Sequence, residues 1–285
     1  MSGRLKVWGG HAGRALRRIW KRPTSISDET AYPDFCARAA ARDDVFARFR
    51  RDPVYTFVLE HVGPDLGAQY LEHALRQTPE LGAWFDRFRT SDLHGGPVTH
   101  PFPPYGDLSP TTLRYVKVLS DLVQLFGPLT DMRVIEIGGG YGGQCKIVQD
   151  AYRVRDYVIV DLAPCLALAG RFLQRCGVAT FTPRTSDQLA ADASYDLVIS
   201  NYAFTECTRA VQETYVERVL RRARRGYITG NVIAPGAYRS YGRDELRDLL
   251  APARVLPEDP LTYEGNYVLV WDHAAEAAPD GRERS

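Results

Sequence analysis

Apolar residues recur along this chain with two different periods, and the change falls near residue 130. Between residues 28 and 90 they return every three or four positions, as in Val45, Phe46 and Phe49, then Leu66, Tyr70, Leu71 and Leu75. That spacing predicts helices over residues 34–50 and 65–76, with little strand signal. Residues 91–110 carry Gly95, Gly96, Pro97, Pro101, Pro103, Pro104, Gly106 and Pro110, which predicts a long loop. Loops of this length inside compact proteins are often functional. A helix over 111–126 follows, with Pro110 just ahead of it and Gly127-Pro128 to stop it.

From Arg133 onward short apolar runs alternate with helical spacing. Strands are expected at 133–138, 157–162, 179–182, 195–200, 226–233, 253–257 and 266–272. Helices are expected at 143–152, 164–176, 211–223 and 242–250. Such alternation predicts an α/β fold, a Rossmann-like and mainly parallel sheet with helices on both faces. The last two strands have little helical pattern between them, which suits a reversed pair. The expected organisation is a basic arm over 1–27, a helical lid region over 28–130, a nucleotide-binding domain over 131–273 and a polar tail over 274–285.

Residues 1–22 hold Arg4, Lys6, Arg14, Arg17, Arg18, Lys21 and Arg22 and no acid, interleaved with Leu5, Val7, Trp8, Leu16, Ile19 and Trp20. Such a segment can dock on an anionic surface or a partner. A solvated, frayed arm is the favoured expectation.

Composition narrows the classes. The chain has 285 residues, 45% hydrophobic and 25% charged, with a formal net charge of +1. There is no global field to attract nucleic acid. No run approaches the roughly 18 apolar residues of a membrane-spanning helix, and no secretory signal is recognisable. Cys36, Cys145, Cys165, Cys176 and Cys207 are scattered and lack a Cys-X-X-Cys spacing, which argues against a disulfide framework or structural zinc. The cytoplasm is the expected compartment.

The richest stretch is Arg133-Val-Ile-Glu-Ile-Gly-Gly-Gly-Tyr-Gly-Gly143. A strand, a glycine turn and a helix N-terminus make a nucleotide-sized cradle. Glu136 ahead of the glycines would repel the pyrophosphate of a dinucleotide. It suits the ammonium end of a methionine moiety, directly or through water. The run 157–162 ends in Asp161, 21 residues after Gly140, where a ribose-binding carboxylate is expected. The fourth strand leads into Asn201-Tyr-Ala-Phe-Thr-Glu-Cys207, which should border the same cleft. Asn201 or Thr205 there also serves as a helix cap on a plainer reading.

The segments Val134-Ile-Glu-Ile-Gly-Gly-Gly-Tyr-Gly-Gly-Gln-Cys-Lys146, Val160-Asp-Leu-Ala-Pro164 and Ser200-Asn-Tyr-Ala-Phe-Thr-Glu206 resemble the sugar O-methyltransferases. These are S-adenosylmethionine-dependent enzymes linked to natural-product and surface-polysaccharide sugars. Leu108-Ser-Pro-Thr-Thr-Leu-Arg-Tyr-Val-Lys117 resembles the helix preceding their glycine motif. The resemblance covers about residues 95–270. It implies a class I methyltransferase sheet of seven strands, S-adenosylmethionine as cofactor, and Glu136, Gly138, Gly140 and Asp161 at cofactor positions. Tyr141, Gln144, Leu162, Ser200 and Asn201 adjoin them and are further candidate cofactor contacts.

Methylation of a sugar hydroxyl needs alignment and a base for the hydroxyl proton. Candidate bases are Glu206, His94 and His100, the histidines acting from an enclosing loop. Each histidine is equally an ordinary solvated ring. Tyr202, Asn201, Arg114 and Tyr115 are candidate substrate contacts. A divalent ion held by Glu206, Asp187 and Asn201 is an alternative that is not favoured, because no compact acidic motif is present. Arg221-Arg-Ala-Arg-Arg225 is expected at a helix C-terminus, where positive charge is favourable. The expected partner is a sugar or glycosylated metabolite, with a homodimer through the helical region as a further expectation. Two other readings remain: a nicotinamide-dependent oxidoreductase, and a non-catalytic partner of a glycosyltransferase.

Overall fold

The computed structural model describes residues 24–178 and 180–273. The basic arm lies outside the described residues as far as residue 23, and so does the tail 274–285.

The apolar runs form one sheet of seven strands: β1 Arg133–Ile137, β2 Asp156–Val160, β3 Thr182–Arg184, β4 Tyr195–Asn201, β5 Ala223–Gly230, β6 Arg254–Pro257 and β7 Tyr267–Asp272. Their order is β3-β2-β1-β4-β5-β7-β6. Strands β1 to β5 are parallel, and β7 runs antiparallel to β5 and β6. This is the α/β, Rossmann-like sheet of seven strands expected from the sequence, with the reversed pair at its end. β1 and β2 read as near-continuous apolar runs because both their faces are covered.

Two cores flank the sheet. On one face Val134, Tyr157, Ile159, Leu197, Ile199 and Tyr227 join the N-terminal helices in a single apolar cluster. On the other, Ile135, Ile137, Val158, Val160, Val198 and Ile228 pack with residues of the C-terminal helices. The longer N-terminal helices are α1 Tyr32–Ala41, α2 Pro53–Val58, α3 Pro64–Gln77 and α4 Pro110–Phe126. α5 Gly143–Ala151 and α6 Ala163–Arg175 follow β1 and β2, and α7 Arg209–Arg218 follows β4. Ser109 caps α4, its hydroxyl accepting from the Thr111 N–H at 3.2 Å.

The structure departs from the sequence pattern in four places. The helix expected over 34–50 breaks at Arg42, which is extended (φ −119°, ψ 130°). Asp43 and Asp44 then occupy the first turn of a new helix, where carboxylates are favourable. β3 lies three residues later than expected, at an edge where Pro183 is tolerated. β5 begins at Ala223, so Arg224 and Arg225 lie in a strand rather than at a helix end. Arg225 pairs across to Asp272 on β7 at 3.1 Å. The loop at 91–110 is tied down: His100 pairs with Leu108, Pro101 pairs with Asp107, and Phe102 is buried between them.

Candidate functional site

Register brings the chemistry together. Glu136 on β1 lies opposite Ile159 on β2 and Ile199 on β4. Two residues further on, Gly138, Asp161 and Asn201 therefore leave the sheet side by side at its carboxyl edge. In open parallel sheets that edge holds the ligand.

Gly140 has φ +55° and Gly138 has φ +77°, a region that residues with a side chain rarely adopt. Both also lack room for a Cβ. At Gly140 it would stand 2.7 Å from Leu59 Cδ1 and 3.8 Å from the Tyr32 hydroxyl, and at Gly138 it would collide with Ala203. The close approach expected of a ligand is thus made in part by the chain itself. Leu59 and Tyr32, which the sequence did not single out, roof the glycine turn from the helical region. The segment 24–26 closes the same edge, with Ser25 bridging to Cys207 and the Ile26 N–H donating to the Glu206 carbonyl at 3.2 Å.

Asp161 is half-buried beside the turn. Its Oδ2 accepts the Gly140 N–H at 2.9 Å and its Oδ1 accepts the Leu162 N–H at 2.7 Å. Burial pushes its carboxyl up to about 6, against those two N–H groups. Each oxygen keeps a lone pair for a hydroxyl. Glu136 is only 2% exposed and accepts the Tyr157 hydroxyl at 2.9 Å. Burial raises it to about 8, the Tyr157 hydrogen bond opposing. It supports the turn from beneath: a Cβ at Gly139 would stand 3.4 Å from its Oε2. Near neutrality it repels a pyrophosphate less than the bare sequence suggests.

Ser200 is buried, donating to the Ile137 carbonyl at 3.0 Å and accepting the Phe204 N–H at 3.1 Å. It holds the turn after β4 against β1. Asn201 leaves its amide nitrogen without a partner. Tyr202 has φ +66° and donates to Glu258, with Thr262 at 3.3 Å. Glu206 is half-buried; Asn231 donates to its Oε1 at 2.7 Å. Burial raises its carboxyl above the ordinary range, the Asn231 amide opposing.

Other expected contacts fall elsewhere. Tyr141 is fully buried among Phe49, Tyr55, Tyr115 and Phe172. Gln144 is buried and donates to the Tyr115 carbonyl at 3.2 Å. Tyr115 packs on Gly143. These residues build the turn's support. His94 lies edge-on to Phe172 and lines a hollow of about 310 Å³ with Asp43, Arg171 and Arg175. His100 sits on the small paired segment beside Leu108. Neither is brought to Glu206, which bonds Asn231. Among the described residues no group of three or more His, Cys, Asp or Glu is arranged to hold a metal.

The residues at the carboxyl edge suit S-adenosylmethionine. A carboxylate with free lone pairs stands where a ribose would lie. An unpartnered amide at Asn201 and an unpartnered guanidinium nitrogen at Arg114 stand nearby. No protein-family model and no curated protein sequence matches the chain. Among solved structures it is similar to protein 1320 of Thermoplasma acidophilum, at 15% identity and TM-score 0.43, over 68% of this chain and 97% of that one. It is also similar to the CurJ carbon methyltransferase, at 17% identity and TM-score 0.40, over 73% of this chain and 70% of that one. A third is the 16S rRNA N2 G1207 methyltransferase of T. thermophilus, at 17% identity and TM-score 0.39, over 55% of this chain and 42% of that one.

Proposed function

We propose that this chain is an S-adenosylmethionine-dependent O-methyltransferase that acts on a hydroxyl of a sugar or glycosylated metabolite. The observation that carries the reading is Asp161 at the end of β2, its carboxylate 2.9 Å from the Gly140 N–H of the turn at the end of β1. The strand order supports a methyltransferase over a nicotinamide enzyme. Dinucleotide-binding sheets run 3-2-1-4-5-6, whereas here the reversed β7 separates β5 from β6.

When bound, S-adenosylmethionine supplies a methyl group on a sulfonium sulfur, open to in-line displacement. Asp161 accepts both ribose hydroxyls while the N–H groups of Gly140 and Leu162 hold it in place. Glu136, largely protonated near neutrality, steadies the turn from below instead of meeting the ammonium group expected from the sequence. Asn201 and Tyr202 border the substrate side, Tyr202 fixed there by Glu258. Glu206 is the base, because it ends the short turn Ala203–Glu206 that follows β4 and its raised pKa makes it a stronger proton acceptor. Asn231 occupies its Oε1, leaving Oε2 to take the hydroxyl proton. The sugar hydroxyl as acceptor rests on the resemblance of the three motif segments.

Incubation with labelled S-adenosylmethionine and a panel of nucleotide sugars, glycans and glycosylated metabolites tests this. Label on a sugar oxygen is expected. Calorimetric binding of NAD without binding of S-adenosylhomocysteine would reverse the assignment to an oxidoreductase.

A further inference from the structure

Arg114 is a buried cation with no carboxylate partner among the described residues. It lies on α4 and is 7% exposed. Among the described residues no carboxylate stands within 4.0 Å of its guanidinium; Nη2 donates to the Leu59 carbonyl at 3.2 Å, and its side-chain partner is the neutral Tyr115. Its Nε is buried without a partner. Tyr115 lies under the guanidinium, 5.5 Å from its centre to the ring centroid, and Tyr70, Tyr202 and His61 are ionisable neighbours. The contrast with Arg50 is direct, since that equally buried arginine has both Glu60 and Asp92. A buried cation without an anion is costly, and a bidentate carboxylate is the group that best repays it.

Its position says which carboxylate. Arg114 holds the backbone of Leu59, whose side chain lies on Gly140. It neighbours Tyr202, which precedes Ala203, the residue that lies on Gly138. Arg114 is thus suspended between the two segments that touch the glycine turn, on the β4 side of Asp161. A nucleoside whose ribose met Asp161 would have the turn and the end of β4 open to its tail. The unpartnered Asn201 amide stands at that end.

We propose that Arg114 binds the α-carboxylate of the cofactor's methionine tail, with the Asn201 amide as a second donor. The assignment rests on the methyltransferase reading and adds the group that orients the amino-acid end. It distinguishes two ligands that share the same adenosine. S-adenosylhomocysteine carries the carboxylate; 5′-methylthioadenosine lacks it.

Calorimetric titration of the full chain with both nucleosides tests it without turnover. Loss of charge-assisted hydrogen bonds is expected to cost about 1.5–3 kcal/mol, so Arg114→Gln should weaken S-adenosylhomocysteine roughly 10- to 100-fold. Its affinity for 5′-methylthioadenosine should stay within about twofold, and Arg114→Lys should recover part of the loss. Equal losses for both nucleosides would overturn the assignment, since the arginine would then shape the site as a whole. Unchanged S-adenosylhomocysteine affinity would also overturn it and hand the guanidinium to an anionic group on the substrate. A measurement on the unaltered chain needs no variant to fold. Decarboxylated S-adenosylhomocysteine should bind about tenfold or more weaker than the parent compound, and equal affinity would sink the proposal. Failure of the unaltered chain to bind any of these nucleosides would remove the methyltransferase reading, and this assignment with it.

Discussion

The guanidinium of Arg50 lies 4.9 Å over the ring of Tyr141, so a cation from the helical region rests on the aromatic residue of the glycine turn. Arg50 is 1% exposed. Its Nε meets Glu60 at 2.5 Å and its Nη1 meets Asp92 at 2.8 Å, while its Nη2 donates to Ser109 at 3.1 Å. One side chain thereby joins the segment before α2, the segment after it, the start of the long loop and the cap of α4. The region that roofs the turn and the turn itself share one buried network.

Arg50→Ala leaves Glu60 and Asp92 as buried carboxylates without a cation. Removing one partner of a buried pair costs about 3–5 kcal/mol. Urea unfolding should therefore show a large loss of stability. A loss below about 1 kcal/mol would mean that the pair is hydrated like a surface one.

Tyr141→Phe should do almost nothing. The Tyr141 hydroxyl is buried without a hydrogen-bond partner, so removing it leaves no group unsatisfied. The ring stays under Arg50 and keeps the cation–π contact. Unchanged unfolding and unchanged S-adenosylhomocysteine affinity are expected. A marked fall in affinity would show that the hydroxyl meets the ligand.

Asp161 makes cofactor binding depend on pH. Its pKa is raised to about 6 by burial, and two ribose hydroxyls require the ionised form. Affinity for S-adenosylhomocysteine should therefore rise with pH through about 6 and level off above it. Asp161→Asn should weaken binding about 10- to 100-fold, by loss of charge-assisted hydrogen bonds, and flatten this profile. Titrations between pH 5 and 8 read both effects. A profile in the variant as steep as in the parent would remove Asp161 as its source.

Some of this was legible in the chain and some was not, for reasons of distance. Glu136, the glycines and Asp161 sit where a local apolar run ends and a turn begins, so a short window reveals them. The mainly parallel sheet followed from alternation alone. Tyr141 and Gln144 stand beside the glycines in sequence, yet the glycine turn aims Tyr141 and the first turn of α5 aims Gln144 into the core. Arg50 could not be read, because its partners Asp92, Ser109 and Thr112 are 42, 59 and 62 residues away. The burial of Arg114 could not be read, since it depends on α3 and the turn after β4. The start of β5 was missed because Arg224 and Arg225 look like a charged helix end. Their strand pairing depends on β7, more than 40 residues further on.

Glu206→Gln tests the base. It keeps the volume and an oxygen for the Asn231 amide, so the fold and cofactor affinity should hold. General base catalysis typically contributes about 10²–10⁴-fold, and kcat should fall by an amount in that range. In the parent chain the rate should rise with pH through a pKa above that of an ordinary carboxylate, because the base acts only when deprotonated. That limb should be absent from the residual rate of the variant. Full activity in Glu206→Gln would leave His94 or His100 to carry the proton after a rearrangement of the loop.

Glu136 should make stability fall as pH rises. Its folded pKa of about 8 lies above the ordinary value of 4.5, so the folded state binds a proton that the unfolded state releases. By linkage the contribution is fully present below about pH 4.5 and is lost progressively as pH approaches about 8. Glu136→Gln carries no such proton, and its amide oxygen can still accept the Tyr157 hydroxyl. Thermal unfolding should show the parent losing Tm between pH 5 and 8, with a smaller decline in the variant. Parallel profiles would place the titration elsewhere and mean that Glu136 is ionised beneath the turn throughout.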